Sequence, residues 1–467
     1  MLIQVIFVVI ALTLYLFAPQ QYSFGLCLAC GILYLLVIIH HYSLQRKKNY
    51  FDFDTLFSVT FFITFFVYPI FIYPLDPVRF SVFSLGFNDA YVNKSTCLAL
   101  VGYSFYILGR SIQFKAKSCN CCNHKVSTMS FAHDKFKLSF CLYFVMIAAF
   151  IAFGGLQQLS SLYDGSSSSG SVIANYASAS IVPIMSIMLV IQSHNQLRIY
   201  GKISVLHTSK FMLAAMLVFS LLLLSTGSRT IALATGLAIL WFFSYYYYNL
   251  SFLKVVLLIF VGVLVLSVIG IFRINHEVDG ISFLDMFQDL IVNNRNTFLA
   301  FEMVERDGVT YGMSMLGYLL RAIPFLSGIV HNLFDLRLID TASSYAFTYE
   351  TFGYKMTYGV GSNIIADLFL AFGISGVIIG MLVLGSFITV LERRTAMNKI
   401  YSTLVYAVMT SQSVFMVRAD YFWPISMIVL CLIYYAIITI IVDMFHISNM
   451  YCKKIVQVSL PNGKKTF

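Results

Sequence analysis

The feature that most constrains this chain is a succession of long apolar runs. They fall at about 2–18, 22–42, 53–73, 95–112, 138–156, 173–193, 211–226, 230–248, 252–272, 371–391, 400–417 and 422–442. A helix needs about 20 predominantly apolar residues to cross a bilayer. Inside the hydrocarbon each backbone N–H and C=O must be bonded within the protein, and a helix does this alone. The runs therefore predict an all-α polytopic integral membrane protein with about 12 transmembrane helices. Composition agrees, with 59% apolar and 11% charged residues and a mean hydropathy of +0.84. A soluble domain carries about 25% charged residues. Soluble enzymes, nucleic-acid binders and disordered chains are thereby excluded. The formal charge of +10 reads as loop charge on the cytoplasmic side and implies no nucleic acid.

Lysine and arginine set the orientation. With the N-terminus inside, twenty of the 30 basic residues fall in inner segments, among them Arg46, Lys47, Lys48, Arg110, Arg393, Arg394 and Lys399. The first run has no basic residue before it, and Phe17-Ala18-Pro19 is a poor cleavage site. It reads as a retained helix. The expected organisation is nine transmembrane helices over 1–272, a large outer loop over 273–363, and three helices with a cytoplasmic tail over 364–467. Both termini are then cytoplasmic.

The nine cysteines do not form a disulfide framework, since most lie in or beside apolar runs. Cys119, Cys121, Cys122 and His124 are crowded into one short stretch. A reduced cytoplasmic loop is the expected reading over a zinc site. No metal site and no cofactor are expected.

The large loop carries a helix start at Ser282-Phe-Leu-Asp285, where serine caps and the acid suits the first turn. Residues 313–334 are apolar enough to pass for a span, yet contain Arg321, Pro324 and His331. Two interfacial helices broken near Pro324, lying on the membrane and roofing a cavity, are expected there.

No Walker loop, dinucleotide fingerprint, His-Glu-x-x-His motif or Gly-x-Ser-x-Gly elbow occurs. The informative residues are arginines on the unfavoured side. Arg229, Arg273 and Arg418 each sit at the outer end of an apolar run, where positive charge opposes insertion. In Thr226-Gly227-Ser228-Arg229-Thr230, Ser228 caps the following helix. Its free N–H groups beside a guanidinium suit a phosphate. The plain alternative is an arginine snorkelling to the headgroups. Arg321 needs a partner or a ligand in its apolar helix. His331 and His276 are loop histidines able to move a proton near neutral pH. Asp367 enters an apolar run and needs pairing; a salt bridge and a catalytic base are both open. Asp420 reads as the ion-pair partner of Arg418. Arg306 and Gly317 have ten residues between them.

On these residues the chain resembles the O-antigen polymerase (Wzy) family. The resemblance rests on the many-helix layout, the 226–230 element, the late outer loop, Ser362…Asp367…Phe372-Gly373…Gly376, and Arg418 opening the last helix. It spans roughly 211–430. It implies a GT-C-like lipid-linked glycosyltransferase architecture in a Gram-negative inner membrane. The substrates would be undecaprenyl-pyrophosphate-linked oligosaccharides on the periplasmic side, and a chain-length regulator the protein partner. Arg229, Arg273, Arg418 and His331 are then the catalytic candidates. Ser228, Arg321, Asp367 and Asp420 are the substrate-binding candidates. An O-antigen ligase and a lipid-linked oligosaccharide flippase are the alternative functions. Arg306 and Gly317 match a spacing reported in some such polymerases.

The charge distribution generates a direct test. Reporter fusions at Asp307 and at Asn123 are expected to report opposite sides of the membrane. The same side for both would invalidate the helix count.

Overall fold

The structure is a computed structural model. It describes residues 2–45, 47–112, 131–157, 171–200, 203, 207–225, 229–274, 287–353 and 359–459. For Arg198, Ser225, Arg229, Val263, 265–274 and 449–459 it describes the backbone alone. The zinc-like cysteine stretch, His276, Ser228 and the expected helix start at Ser282 lie outside the described residues.

Every apolar run coincides with a helix: α1 (Leu2–Leu16), α2 (Phe24–Gln45), α3 (Phe53–Val67), α4 (Tyr91–Ser111), α5 (Ala132–Ala152), α6 (Val172–Tyr200), α7 (Lys210–Ser225), α8 (Arg229–Tyr246) and α9 (Phe252–Ile274). Then come α10 (Arg295–Asp307), α11 (Met313–Arg321), α12 (Leu326–Phe334), α13 (Ser343–Phe352), α14 (Ile364–Ala396), α15 (Ile400–Val417) and α16 (Ile425–Ser459). Among the described residues there is no strand. Among the described residues seven helices are long and apolar enough to cross a membrane, as in a multi-pass membrane protein. α4 is not one of the seven, although it is almost wholly buried. Polar Asn93, Ser95, Thr96 and Ser104 are tolerated there because protein, not lipid, surrounds them.

α14 packs along α4 through glycines. A Cβ on Gly385 would stand 2.1 Å from the Tyr106 carbonyl oxygen, and one on Gly109 would stand 2.3 Å from the Leu382 carbonyl oxygen. The two backbones touch, as small residues allow at membrane helix crossings. Below this crossing the same helices are tied by charge. The Asp54 carboxylate accepts from Arg110 Nη2 at 2.6 Å and Nε at 3.1 Å, from Lys47 Nζ at 2.8 Å, and from the Tyr106 hydroxyl. Arg110 also reaches Thr389 at 2.9 Å and pairs with Glu392 on α14. Burial works against the Lys47 ammonium, but Asp52 and Asp54 hold its pKa above the ordinary value. Removing one partner from such a buried set typically costs about 3–5 kcal/mol.

This end of the bundle also holds the pairs Asn49–Leu250, Arg110–Glu392 and Lys135–Asp443. The opposite end collects the segment 287–353 and the turn after α15.

α14 spans 33 residues, about 50 Å as a straight helix, which exceeds the ~30 Å hydrocarbon thickness. It breaks at Phe372 (φ −142°, ψ 16°) and Gly373 (φ 63°, ψ −151°). Glycine takes the left-handed value without strain. The carbonyl of Leu370 freed by the break accepts from Thr310 N–H at 3.0 Å. Residues 374–396 then rise about 34 Å, one bilayer crossing. Segment 313–334 divides as expected: α11 and α12 are nine residues each and separate at Ala322–Phe325, around Pro324. At 1.5 Å per residue each rises only about 13 Å, so neither crosses a bilayer.

The glycine crossing predicts an asymmetry. Gly385→Ala is expected to destabilise by about 1–3 kcal/mol, the usual cost of overpacking, read as a lower melting temperature in detergent. Gly236→Ala, where a Cβ meets nothing within 4 Å, is expected to leave it unchanged.

Candidate functional site

Five stretches separated in sequence meet at the end of the bundle opposite the charge cluster. They enclose a cavity of about 150 Å³. Thr230, next to the start of α8, lines it together with Tyr318 of α11 and Ser344 of α13. Gly361 and Ser362 line it on the approach to α14, and Arg418, Ala419, Asp420 and Trp423 from the turn after α15. Hydroxyls, a guanidinium and a carboxyl stand beside the aromatic faces of Phe415 and Trp423. That mixture suits a ligand with polar groups and an apolar face, such as a sugar.

The turn is built by its own hydrogen bonds. Arg418 N–H bonds to the Phe415 carbonyl at 3.0 Å and Trp423 N–H to the Asp420 carbonyl at 2.9 Å. Trp423 Nε1 donates to Gln412 at 3.0 Å. Pro424 precedes α16, where its missing N–H is not needed. Arg418 thus closes α15; the expectation that it opens the last helix is corrected, because the turn to Pro424 intervenes. Its guanidinium lies 5.7 Å from the Phe415 ring and donates to the Asp289 carbonyl at 3.3 Å.

Two carboxyls are buried behind the arginine. Asp420 is 2% exposed and accepts from the Ser343 hydroxyl, which lies 2.9 Å from the Ser362 hydroxyl. The expected Arg418–Asp420 ion pair is not among the ion pairs of the described residues, and Ser343 takes that place. Burial pushes the Asp420 carboxyl above its ordinary pKa, and the Ser343 bond works the other way. Asp367 sits in the first turn of α14, fully buried. Its Oδ2 accepts the Tyr421 N–H at 2.8 Å, while Oδ1 has no hydrogen-bond partner among the described residues. Neither carboxyl forms an ion pair among the described residues.

The other sequence candidates fall at different distances from the cavity. Arg321 is exposed, its guanidinium 5.1 Å from the ring of Tyr318, a lining residue. His331 lies off the cavity. Its Nδ1 is 2.6 Å from the Ser327 carbonyl, so it donates there, and its Nε2 is 2.8 Å from the Thr341 hydroxyl. The backbones of Arg229 and Arg273 belong to α8 and α9. Arg306 forks onto Glu350 at 2.7 and 3.0 Å, tying α10 to α13. A Cβ on Gly317 would stand 2.9 Å from the Thr341 carbonyl. The ten-residue spacing therefore joins two packing points. Sequence reasoning missed Ser343, Tyr318 and Trp423. The last carried a signal, as one of two tryptophans in the chain.

The sequence pattern of the family described as O-antigen polysaccharide polymerase Wzy matches residues 1–449. The chain belongs to that family. Among curated proteins and among solved structures, none matches it. Membership in the Wzy family carries an O-antigen polymerase role, and with it glycosyltransferase-type polymerisation of lipid-linked oligosaccharide repeat units in a membrane. Of the motif residues that signalled the family, Thr230, Ser362 and Arg418 line this cavity.

The buried carboxyl predicts a pH dependence with a definite sign. A folded-state pKa above the unfolded one means the native protein binds more protons. Stability is then full below the ordinary carboxylate pKa of about 4 and falls as pH rises through the folded value. Asp420→Asn keeps an acceptor for Ser343 and removes the charge. Its melting temperature in detergent is expected to exceed the wild-type value at neutral pH, with the gap closing toward pH ~4. A gap independent of pH would show that Asp420 ionises freely.

Proposed function

We propose that this Wzy-family protein joins undecaprenyl-pyrophosphate-linked repeat units at the periplasmic face of a Gram-negative inner membrane. In this reading both termini are cytoplasmic, about 12 helices cross the bilayer, and the architecture is GT-C-like. A chain-length regulator is the expected protein partner. The observation that carries the reading is the cavity shared by Thr230, Arg418 and Asp420 at one end of the bundle. It joins the arginine-bearing helix ends to a pocket with hydroxyls and aromatic faces. The basic cluster around Lys47 and Arg110 at the other end supports placing that end in the cytoplasm.

The chemistry follows from the leaving group. As the bond from the anomeric carbon to pyrophosphate breaks, negative charge grows on the phosphate oxygens. Fixed guanidinium groups stabilise that charge more in the transition state than in the ground state. Arg418 is in the cavity wall. Arg229 and Ser228 adjoin Thr230 in sequence, and Arg273 follows the apolar run 252–272; they are the further candidates for the pyrophosphate. Arg321, beside Tyr318, is placed to hold a second phosphate or sugar at the rim. Asp420 bounds the sugar side, with Asp367 buried behind it. His331 anchors α12 through Ser327 and Thr341. The donor is already activated, so the scheme calls for no nucleotide and no metal.

Deletion of the gene followed by a gel of the surface polysaccharide tests the activity. Single repeat units on the core are expected. Their complete loss would indicate a ligase or flippase. Arg229→Ala, Arg273→Ala and Arg418→Ala are each expected to cut polymer at least tenfold in protein that still inserts. Lysine is expected to rescue partly, because it keeps the charge and loses the two-pronged geometry. Normal polymer from all three alanine variants would mean that these residues merely snorkel.

A further inference from the structure

We propose that Asp420 is the catalytic base that takes the proton of the acceptor sugar hydroxyl, with Asp367 as the charge partner behind it. This deepens the polymerase reading and rests on it. Asp420 lines the cavity, whereas His331 does not, and both nitrogens of His331 are engaged elsewhere. Asp367 accepts the N–H of Tyr421, the residue next to Asp420, and the Ser343 hydroxyl donates to Asp420. That hydroxyl also lies 2.9 Å from Ser362, itself in the cavity wall. Two buried carboxyls this close, with no ion-pair partner among the described residues, do not both ionise; like charges in a low-dielectric site retain one proton between them. One carboxylate and one carboxylic acid then share the site. The unpartnered Oδ1 of Asp367 is where the retained proton is least constrained. The ionised member, facing the cavity, is the base.

The step balances as follows. The acceptor O–H proton moves to Asp420 as the acceptor oxygen bonds to the anomeric carbon of the donor. The bond from that carbon to the pyrophosphate oxygen breaks, and its electron pair leaves with undecaprenyl pyrophosphate. Asp420 then returns its proton to water. Arg418 stabilises the departing charge from the same wall.

The groups facing Asp420 fix what a pH profile reads. They are Asp367 from α14, Ser343 from α13, Tyr318 with Arg321 over its ring from α11, and Arg418 from its own turn. Asp367 is the other acid among them; holding the retained proton it adds no charge, and the Ser343 hydroxyl is the group that favours the ionised Asp420.

The test uses the purified full chain in detergent and lipid-linked repeat units extracted from cells lacking the gene. Chain length is followed on gels across pH. Wild-type rate is expected to rise with pH through one limb. Asp420→Asn is expected to bind the lipid-linked units and lose polymer formation by at least ~100-fold, the range for a lost general base. Asp367→Asn is expected to keep polymerising with the limb in place, and Ser343→Ala, which removes a donor to the Asp420 carboxylate, is expected to displace the limb to higher pH. An Asp420→Asn protein with wild-type rate, or a Ser343→Ala limb that does not move, overturns the assignment. If Asp420→Asn fails to fold, the Ser343→Ala limb decides alone. A wild-type protein that makes no polymer from these units sinks the polymerase reading itself, which no variant could do.

Discussion

The contact on which the rest depends is the crossing of α4 and α14, where backbone meets backbone at Gly109 and Gly385. Helices in lipid gain nothing from hiding apolar side chains from one another, because the tails are equally apolar. Close approach and polar bonds must supply the association. Here both act on one pair of helices. The glycines bring the axes together, and Arg110 locks Glu392 and Asp54 at one end. The other end of α14 carries Asp367 into the cavity region. One helix, broken once at Phe372-Gly373, thus runs from the clamp to a buried carboxyl at the opposite end of the bundle.

The break at Phe372-Gly373 gives that arrangement its depth. Without it a 33-residue helix would overrun the bilayer or tilt strongly. With it, the first turns of α14 stay beside α10, whose Phe301 ring lies 4.3 Å from Phe369. Asn363 holds the start of the helix, accepting from Ala366 N–H at 2.7 Å and donating to the Asn293 carbonyl at 2.7 Å. The site thus stands on a short helix embedded in protein, where a buried acid is tolerated, and the long crossing helix begins below it.

Much of this was legible in the sequence, and the omissions have a common cause. Hydropathy located the helices because lipid demands apolar length. Pro324 marked the break between α11 and α12 because it removes a donor. Arg418 and Asp367 pointed to the end that holds the cavity because charge near lipid needs a reason. What periodicity cannot register is a partner in another element. Arg110 read as one more inner basic residue, yet its function in the fold depends on Asp54 and Glu392. Asp420 was matched to its sequence neighbour Arg418, and the fold gave it Ser343, 77 positions away. Gly385 looked like any small residue in a span.

α12 presents Phe325, Ile329 and Leu333 at successive helical turns, each more than half exposed. Its other face is held by His331 on Thr341. In a protein that spans a membrane, the cover at hand for such a face is hydrocarbon. The helix then behaves as a float: its greasy side fixes the waterline, and the cavity rides at a set height above it. A lipid-carried substrate would meet the protein at that same waterline. Encounter would then be a search in two dimensions, governed by how many carriers occupy a patch of membrane.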